Sequence, residues 1–574
     1  MSPPEASPSR PRGLARAILR RPLVAAAVFA VVASLAGIHG HSLWSPDEPR
    51  EAGMALEMHQ NGLSALPTLG GEPFLEKPPL FFWLAATSYQ VFGVNEAAER
   101  VPAVIFGALA TLAAYAIARA TSGRRAALVA AVFAASFSTF WSVGHRGCND
   151  VVLGAACAGA HALLVRARAM AERGAGWRCA LGAGFCTGVA FMAKGVIGPV
   201  LIAGPATLAW VVLRDGVVLR RVFPWFALFS VAFVAAFGTP WAVALAGHPG
   251  GWQNVWDCTL GQVIGRVMGD QAIGPHNHPA WFYLQAGWGS LLPWVALLPA
   301  MLLSPIARRR MKRRPLLDAW LMFLLGVLLL SIPSGKRASY LFPLLPLAAA
   351  APADWFARLR AGEQFGRRFL QWIMATASVA GVGVTAFALL LASGRAPIAK
   401  FAPIAAEGAR AVNFVVAALG LAIAFWLLRI ALRLRRDATV RAGVREVLAF
   451  AAVGLVLSHA VARPFLEPLE WLYPAAKRIA AAVPAGEPMV AFNPSETMRA
   501  MIPFYGRRPM ARIKTSEMSS KHTRPSAAKQ PPNSATNRFS WVRGRIGRRG
   551  TSARSRILML LDCNSPDSSV SFTR

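Results

Sequence analysis

Acidic residues are scarce in this chain. Its 574 residues include 27 Asp and Glu against 61 Lys and Arg, a formal charge of +34, and charged residues make up only 15% of the total. An ordinary soluble domain carries about 25%. With 55% hydrophobic residues, that deficit argues against a soluble globular protein. A nucleic-acid-binding protein could carry the basic excess, but not together with long apolar runs free of charge. Cysteine is sparse as well: six residues and no Cys-x-x-Cys pair. Neither a disulfide framework nor a zinc ribbon is indicated. Collagen and wholly disordered chains are excluded by the same composition.

What the chain does have is apolar runs. Fourteen begin near residues 22, 79, 101, 125, 151, 178, 196, 222, 281, 315, 339, 369, 411 and 446, many of them close to the roughly 20 helical residues that a bilayer core requires. The first follows Arg10, Arg12, Arg16, Arg20 and Arg21. No small-residue cleavage site comes after it, so it reads as an anchor with its N-terminus inside.

The basic loops test the count. They contain Arg124-Arg125; Arg166, Arg168, Arg173 and Arg178; Arg214, Arg220 and Arg221; the run from Arg308 to Arg314; Arg358, Arg360, Arg367 and Arg368; and Arg433, Arg435 and Arg436. Fourteen spans would put all six loops outside, against the tendency of Lys and Arg to stay inside. Removing the run at 79–93 repairs every one. That run is short, opens with Pro78-Pro79 and contains Tyr89 and Gln90. It is expected to lie in the membrane interface.

The expectation is therefore an all-α polytopic membrane protein of about 13 transmembrane helices, with interfacial helices in the first outer loop. Residues 1–21 form an inside tail, and residues 22–463 form the membrane domain. Residues 464–512 look like the start of an outer α/β region, with an amphipathic stretch near Ala475–Ala482, a turn at Pro484-Ala485-Gly486 and a strand-like MVAFN. Residues 513–574 are expected to be a disordered basic, Ser/Arg-rich tail that leaves this region incomplete. From 514 on there are 12 Lys and Arg, three acids, 12 Ser and no periodicity. A frame-shifted reading of the gene would give the same composition, and sequencing its 3′ end tests that.

This topology gathers the unusual polar residues on the outer face. Asp47 and Glu48 follow the first span, ahead of Arg50 and Glu51. Adjacent carboxylates at a membrane face suit proton abstraction or a metal; equally, Asp47 could cap the helix that Pro49 opens. The same loop ends in Glu76-Lys77-Pro78-Pro79, where proline rigidity would hold an acid and an ammonium. Lys77 suits a phosphate or snorkels to the interface. Asp150 stands at the mouth of the next run, and Lys194 in a very short outer turn. Arg266, His276 and His278 share the fourth outer loop, and Lys336, Arg337 and Tyr340 the fifth. A His-x-His pair needs at least one further ligand to fix a metal. Acids for proton transfer beside cations placed against the charge rule suggest chemistry on a lipid-linked phosphate.

These motifs resemble a known family. SPDEPREAGMALEM with GGEPFLEKPPLFFWL is similar to the first outer loop of the bacterial lipid A aminoarabinose transferases and their protein O-mannosyltransferase relatives, polytopic glycosyltransferases of the GT-C type. CNDVVLGAA, FMAKGVIGP, WFYL with LLPW, and SGKRASYLFPLLP match further turns in the same order. The resemblance covers roughly residues 20–350 and is patchier to about 512. It implies a multi-pass protein of the bacterial inner membrane, with its site on the periplasmic face. A polyprenyl-phosphate-linked sugar would be the donor, and a lipid or protein group the acceptor. Membrane lipids, not nucleic acid, would be its surroundings. The implied roles are Asp47 as general base with inversion, Glu48 beside it, and Asp150 orienting a sugar. Lys77, Arg266, Lys336 and Tyr340 would hold the phosphate, assisted by Lys194 and Arg337. Glu76 with His276 or His278 could place a divalent metal ion; no other cofactor is implied. One departure bears on this metal: relatives usually carry His or Asn shortly before the arginine of the fourth loop, where this chain has Gln262. The competing reading is a secondary transporter or a flippase for lipid-linked sugars. It would bring internal repeats and acids buried mid-span, and neither is visible.

Overall fold

The structure is a computed structural model of the chain. It describes residues 21–268 except 45, then 277–299, 302–303, 315–359, 364–406, 410–435, 440–470, 472–482, 489–492, 494–507, 510–513, 539–545 and 554–560. The chain forms two compact units.

The first unit contains the chain up to His41, Glu76–Pro78 and Arg100–Glu467. The helices, numbered along the whole chain, are α1 Pro22–Leu35, α2 Asp47–Asn61, α3 Leu80–Phe92, α4 Glu96–Thr121, α5 Arg124–Ser136, α6 Ser138–Val143, α7 Asn149–Met170 and α8 Gly176–Lys194. They continue as α9 Ile197–Val212, α10 Phe223–Ala246, α11 Pro315–Ser331, α12 Gln364–Ala392, α13 Ala411–Arg433, α14 Val440–Leu466, α15 Leu472–Ala482 and α16 Glu496–Gly506. Among the described residues six helices, α4, α7, α10, α12, α13 and α14, contain stretches long and apolar enough to cross a membrane. Helices α1, α3, α9 and α11 are apolar but shorter. This is a polytopic helical membrane protein. Helix α3 has 13 residues, about 20 Å at 1.5 Å per residue, short of a bilayer core of about 30 Å.

Three of the expected spans are broken helices. The run near 125 divides into α5 and α6 at Phe137, which is extended (φ −61°, ψ 138°). The Ser138 N–H leaves the helical ladder to donate to the Leu292 carbonyl at 2.8 Å. The run near 281 holds a helix at Phe282–Ser290 and, past Pro293, a 3₁₀ turn at Trp294–Leu297. The run near 339 opens as a 3₁₀ turn, Ala338–Leu344, followed by the short helices Leu345–Ala348 and Ala350–Arg358. Pro343 and Pro346 each remove a backbone donor there. The apolar residues of these stretches pack against one another. Phe133 stacks on Trp294 with centroids 4.3 Å apart, and Phe140 meets Phe342 at 4.8 Å. All four rings are buried, and within a membrane bundle they contribute by van der Waals packing rather than by leaving water. The Phe342 ring lies where a side chain at Gly154 would be. Because Gly154 is one turn after Asp150 on α7, this close approach brings the 338–344 turn to the Asp150 face of that helix.

The second unit contains Ser42–Leu75, Pro79–Glu99 and the chain from Pro468 on. Its hairpin pairs β1 (Thr68–Leu69) with β2 (Glu72–Pro73) in antiparallel register, Leu69 opposite Glu72. Both backbone N–H groups of Gly70 and Gly71 point at the Glu57 carboxylate of α2. Helix α16 packs on α2 through Gly53, where an added Cβ would sit 2.7 Å from the Ala500 Cβ. Arg499 of α16 reaches the Leu69 carbonyl and pairs with Glu72 at 3.2 Å. The strands β3 (Met489–Phe492), β4 (Met510–Ile513), β5 (Phe539–Arg545) and β6 (Arg554–Leu560) form one sheet of order β4-β3-β6-β5. β3 is parallel to β4 and β6, while β5 and β6 are antiparallel. Strands β5 and β6 fall within the stretch read from composition as a disordered tail; the remainder of that stretch past Ile513 lies outside the described residues.

Candidate active site

Four helix ends of the first unit meet at one cleft: the start of α7, the end of α8, the start of α9 and the end of α11 supply Asp150, Lys194, Ile197 and Leu330 to its wall. Glu76 and Lys77 enter from the Glu76–Pro78 segment, and Ser339 and Tyr340 from the 3₁₀ turn. The cleft encloses roughly 850 Å³ including its open mouth.

Its polar end is built around one ion pair. Asp150 lies in the first turn of α7, where the helix dipole favours an anion, and Lys194 is the last residue of α8, where it favours a cation. The Lys194 ammonium donates to the Asp150 carboxylate and sits 4.6 Å from the centroid of the Tyr340 ring, within reach of a cation–π attraction. Beyond this pair the wall turns apolar, through Leu153, Leu201, Val263 and Val267. The cleft wall thus combines the cations Lys77 and Lys194 with a mainly hydrocarbon surface.

The remaining expected residues are placed as follows. Lys336 is almost wholly buried, and its ammonium donates to the His278 carbonyl at 2.8 Å. Burial lowers that ammonium below the ordinary lysine range. The Arg337 carbonyl accepts from the Tyr283 hydroxyl at 3.3 Å. Lys336 and Arg337 therefore stitch the turn that carries Tyr340, while Gly335, Ser339 and Tyr340 supply that turn's part of the wall. Arg266 lies on the helix Gln262–Met268, from which Gln262 lines the cleft. The His278 ring is exposed and stacks on Phe282 at 4.3 Å, and His276 lies outside the described residues. Among the described residues no three His, Cys, Asp or Glu side chains cluster as metal ligands. Glu76 is in the cleft wall, whose lining does not include His278.

Asp47 and Glu48 belong to the second unit. Asp47 is the first residue of α2 and pairs with Arg50 at 2.8 Å; Arg50 also holds Glu496 at 2.9 Å. The neighbouring Glu48 is buried and accepts the Trp44 N–H, ahead of the helix, at 2.8 Å.

Sequence reasoning missed Cys258 and Thr259, which line the cleft. The Cys258 thiol donates to the Lys77 carbonyl at 3.5 Å, which ties the fourth outer loop to Lys77. Burial, and secondarily the charge of Asp257, pushes that thiol up to about 12. Their one signal was position, just ahead of GQVIGR.

Residues 76–241 match the sequence model of the family described as dolichyl-phosphate-mannose-protein mannosyltransferase. The chain is 29% identical over 348 residues to the undecaprenyl phosphate-alpha-4-amino-4-deoxy-L-arabinose arabinosyl transferase of Serratia proteamaculans, covering 58% of this chain and 60% of that protein. It is 32% identical over 350 residues to the Pseudomonas aeruginosa protein of that name, covering 58% and 59%. The chain thus spans about three fifths of the length of the curated relatives it matches. The crystal structure of ArnT from Cupriavidus metallidurans bound to undecaprenyl phosphate superposes with a TM-score of 0.70 at 20% identity, covering 88% of this chain and 87% of that one. Its apo form gives 0.66 at 21%. These two likenesses concern the fold. Residues 76–241 are thus similar to the dolichyl-phosphate-mannose-protein mannosyltransferase family, and the fold of the chain is that of the ArnT structures.

Proposed function

We propose that this protein is an integral-membrane glycosyltransferase. It moves a sugar from a polyprenyl-phosphate-linked donor to a hydroxyl or phosphate of an acceptor outside the bacterial inner membrane, with inversion. The observation that carries this reading is the amphipathic cleft. Lys77, Lys194 and Tyr340 at its polar end suit a phosphate whose charge grows as the sugar leaves, and its apolar wall suits the isoprenoid chain. Asp47 takes the proton of the attacking acceptor as general base, with Glu48 fixing the start of α2. Asp150 orients a sugar, and Arg266, Lys336 and Arg337 complete the cationic surroundings. The relatives' names supply a candidate donor, undecaprenyl-phosphate aminoarabinose, and lipid A is the candidate acceptor implied by the motif resemblance; a cell-wall glycan or protein hydroxyl fits the same chemistry.

The test is transfer of sugar by the purified chain in proteoliposomes from an undecaprenyl-phosphate sugar to added acceptor, followed by mass spectrometry. Asp47→Asn is expected to lower transfer by about 10²–10⁴-fold while the protein still inserts and folds. Donor crossing the bilayer with no covalent product would overturn the reading in favour of a flippase.

A further inference from the structure

The Asp150–Lys194 pair occupies the place where the proposed reaction needs a free cation. Lys194 faces Asp150 on one side and the Tyr340 ring 4.6 Å away on the other. The two side chains are 20% and 13% exposed, and both line the cleft. The pair is therefore neither sealed in the bundle nor fully solvated. A cation among apolar walls is costly without a partner, and Asp150 supplies one from within the chain. A phosphate entering along the apolar wall meets a lysine that is already neutralised.

We infer that Asp150 is an exchangeable counter-ion for Lys194: it holds the ammonium while the cleft is empty, gives it up to the phosphate of the bound lipid, and takes it back when the spent lipid phosphate leaves. This rests on the polyprenyl-phosphate reading and assigns Asp150 a task in the ligand cycle beyond orienting a sugar. The charge arithmetic gives the exchange a direction. The donor is a phosphodiester with one negative charge. The leaving lipid is a phosphomonoester, which carries about −1.5 to −2 near pH 7 and would hold Lys194 more tightly. A carboxylate waiting in the same cleft opposes that grip and speeds release of the product. Tyr340 serves both states, because its ring attracts the ammonium whichever anion holds it.

The experiment is binding of a short-chain polyprenyl phosphate to the full chain in nanodiscs, comparing the unmodified protein with Asp150→Asn. The variant is expected to bind the phosphomonoester about three- to tenfold more tightly and to be inhibited by it at correspondingly lower concentration. Equal or weaker binding by the variant would overturn the exchange and leave Asp150 as an ordinary binding group. If Asp150→Asn does not fold, Asp150→Ser carries the same expectation. Amine acylation of Lys194 followed by mass spectrometry gives a second measure: protection by polyprenyl phosphate should be greater in the variant than in the unmodified chain, and equal protection counts against the exchange. Failure of the unmodified chain to bind polyprenyl phosphate at all would instead remove the functional reading, so the two failures are distinguishable.

Discussion

Helix α7 carries a charged centre at each end, and the two behave differently. At its start Asp150 pairs with Lys194 in a wall of the cleft. At its last turn, 18 residues on and about 27 Å away along the axis, Arg168 meets Asp215 at 2.7 Å and Asp318 at 3.8 Å. Asp215 also caps the helix Gly216–Arg221 through the Val218 N–H. Asp318, on α11, is fully buried. Arg168 therefore ties α7 to α11 and to the end of α9 through groups that line no part of the cleft. The residue types are nearly the same at both ends, and Arg168 and Asp215 are about as exposed as Lys194 and Asp150; what separates the two centres is Asp318, which is wholly buried. A sealed charge must keep its partner because nothing else can satisfy it. A pair beside an opening can change partners at little cost.

Arg168→Ala breaks the sealed centre and carries the largest expected effect. It leaves Asp318 as a buried charge without its partner, which should cost about 3–5 kcal/mol of stability. Thermal unfolding in detergent, read by tryptophan fluorescence, checks this. Lys194→Ala should cost less stability than Arg168→Ala, because Asp150 keeps some exposure to the cleft where Asp318 has none, and yet weaken polyprenyl-phosphate binding about tenfold, equivalent to about 1.4 kcal/mol. If the two variants unfolded alike, the distinction between a brace and a working pair would collapse.

The sequence made one end legible and hid the other. Lys194 stood out because it broke the positive-inside pattern in a short turn. Arg168 sat among Arg166, Arg173 and Arg178, where orientation of the spans already accounts for a basic residue, so nothing marked it for pairing. Asp318, inside the apolar run that begins near 315, drew no reading from the sequence. The polytopic helical class was legible because hydropathy and charge bias both report on the bilayer. The breaks at Phe137, Pro293 and Pro343 were not, because a buried broken helix and a span have the same apolar composition. Lys336 shows the limit most plainly. Its place against the charge rule suggested a phosphate ligand, and no local pattern announced that its ammonium also donates to the His278 carbonyl. The packing of α16 on α2 joins residues more than 400 positions apart, beyond the reach of any local pattern.

The smallest expected effect concerns the thiol in the cleft wall. Cys258 is buried, and its thiol is pushed up to about 12 from an ordinary value near 9. Above pH 9 the unfolded chain releases this proton while the folded chain keeps it. The unfolded state then binds fewer protons, so stability falls as pH rises from about 9 towards 12. One pH unit into that window this group alone should remove about 1 kcal/mol. Replacing it removes the term: the stability of Cys258→Ala should lose its excess slope between pH 9 and 10 relative to the unmodified chain, with the other cysteines common to both. Equal slopes in the two proteins would mean that Cys258 is open to water through the cleft, and its hold on the Lys77 carbonyl would be correspondingly weak.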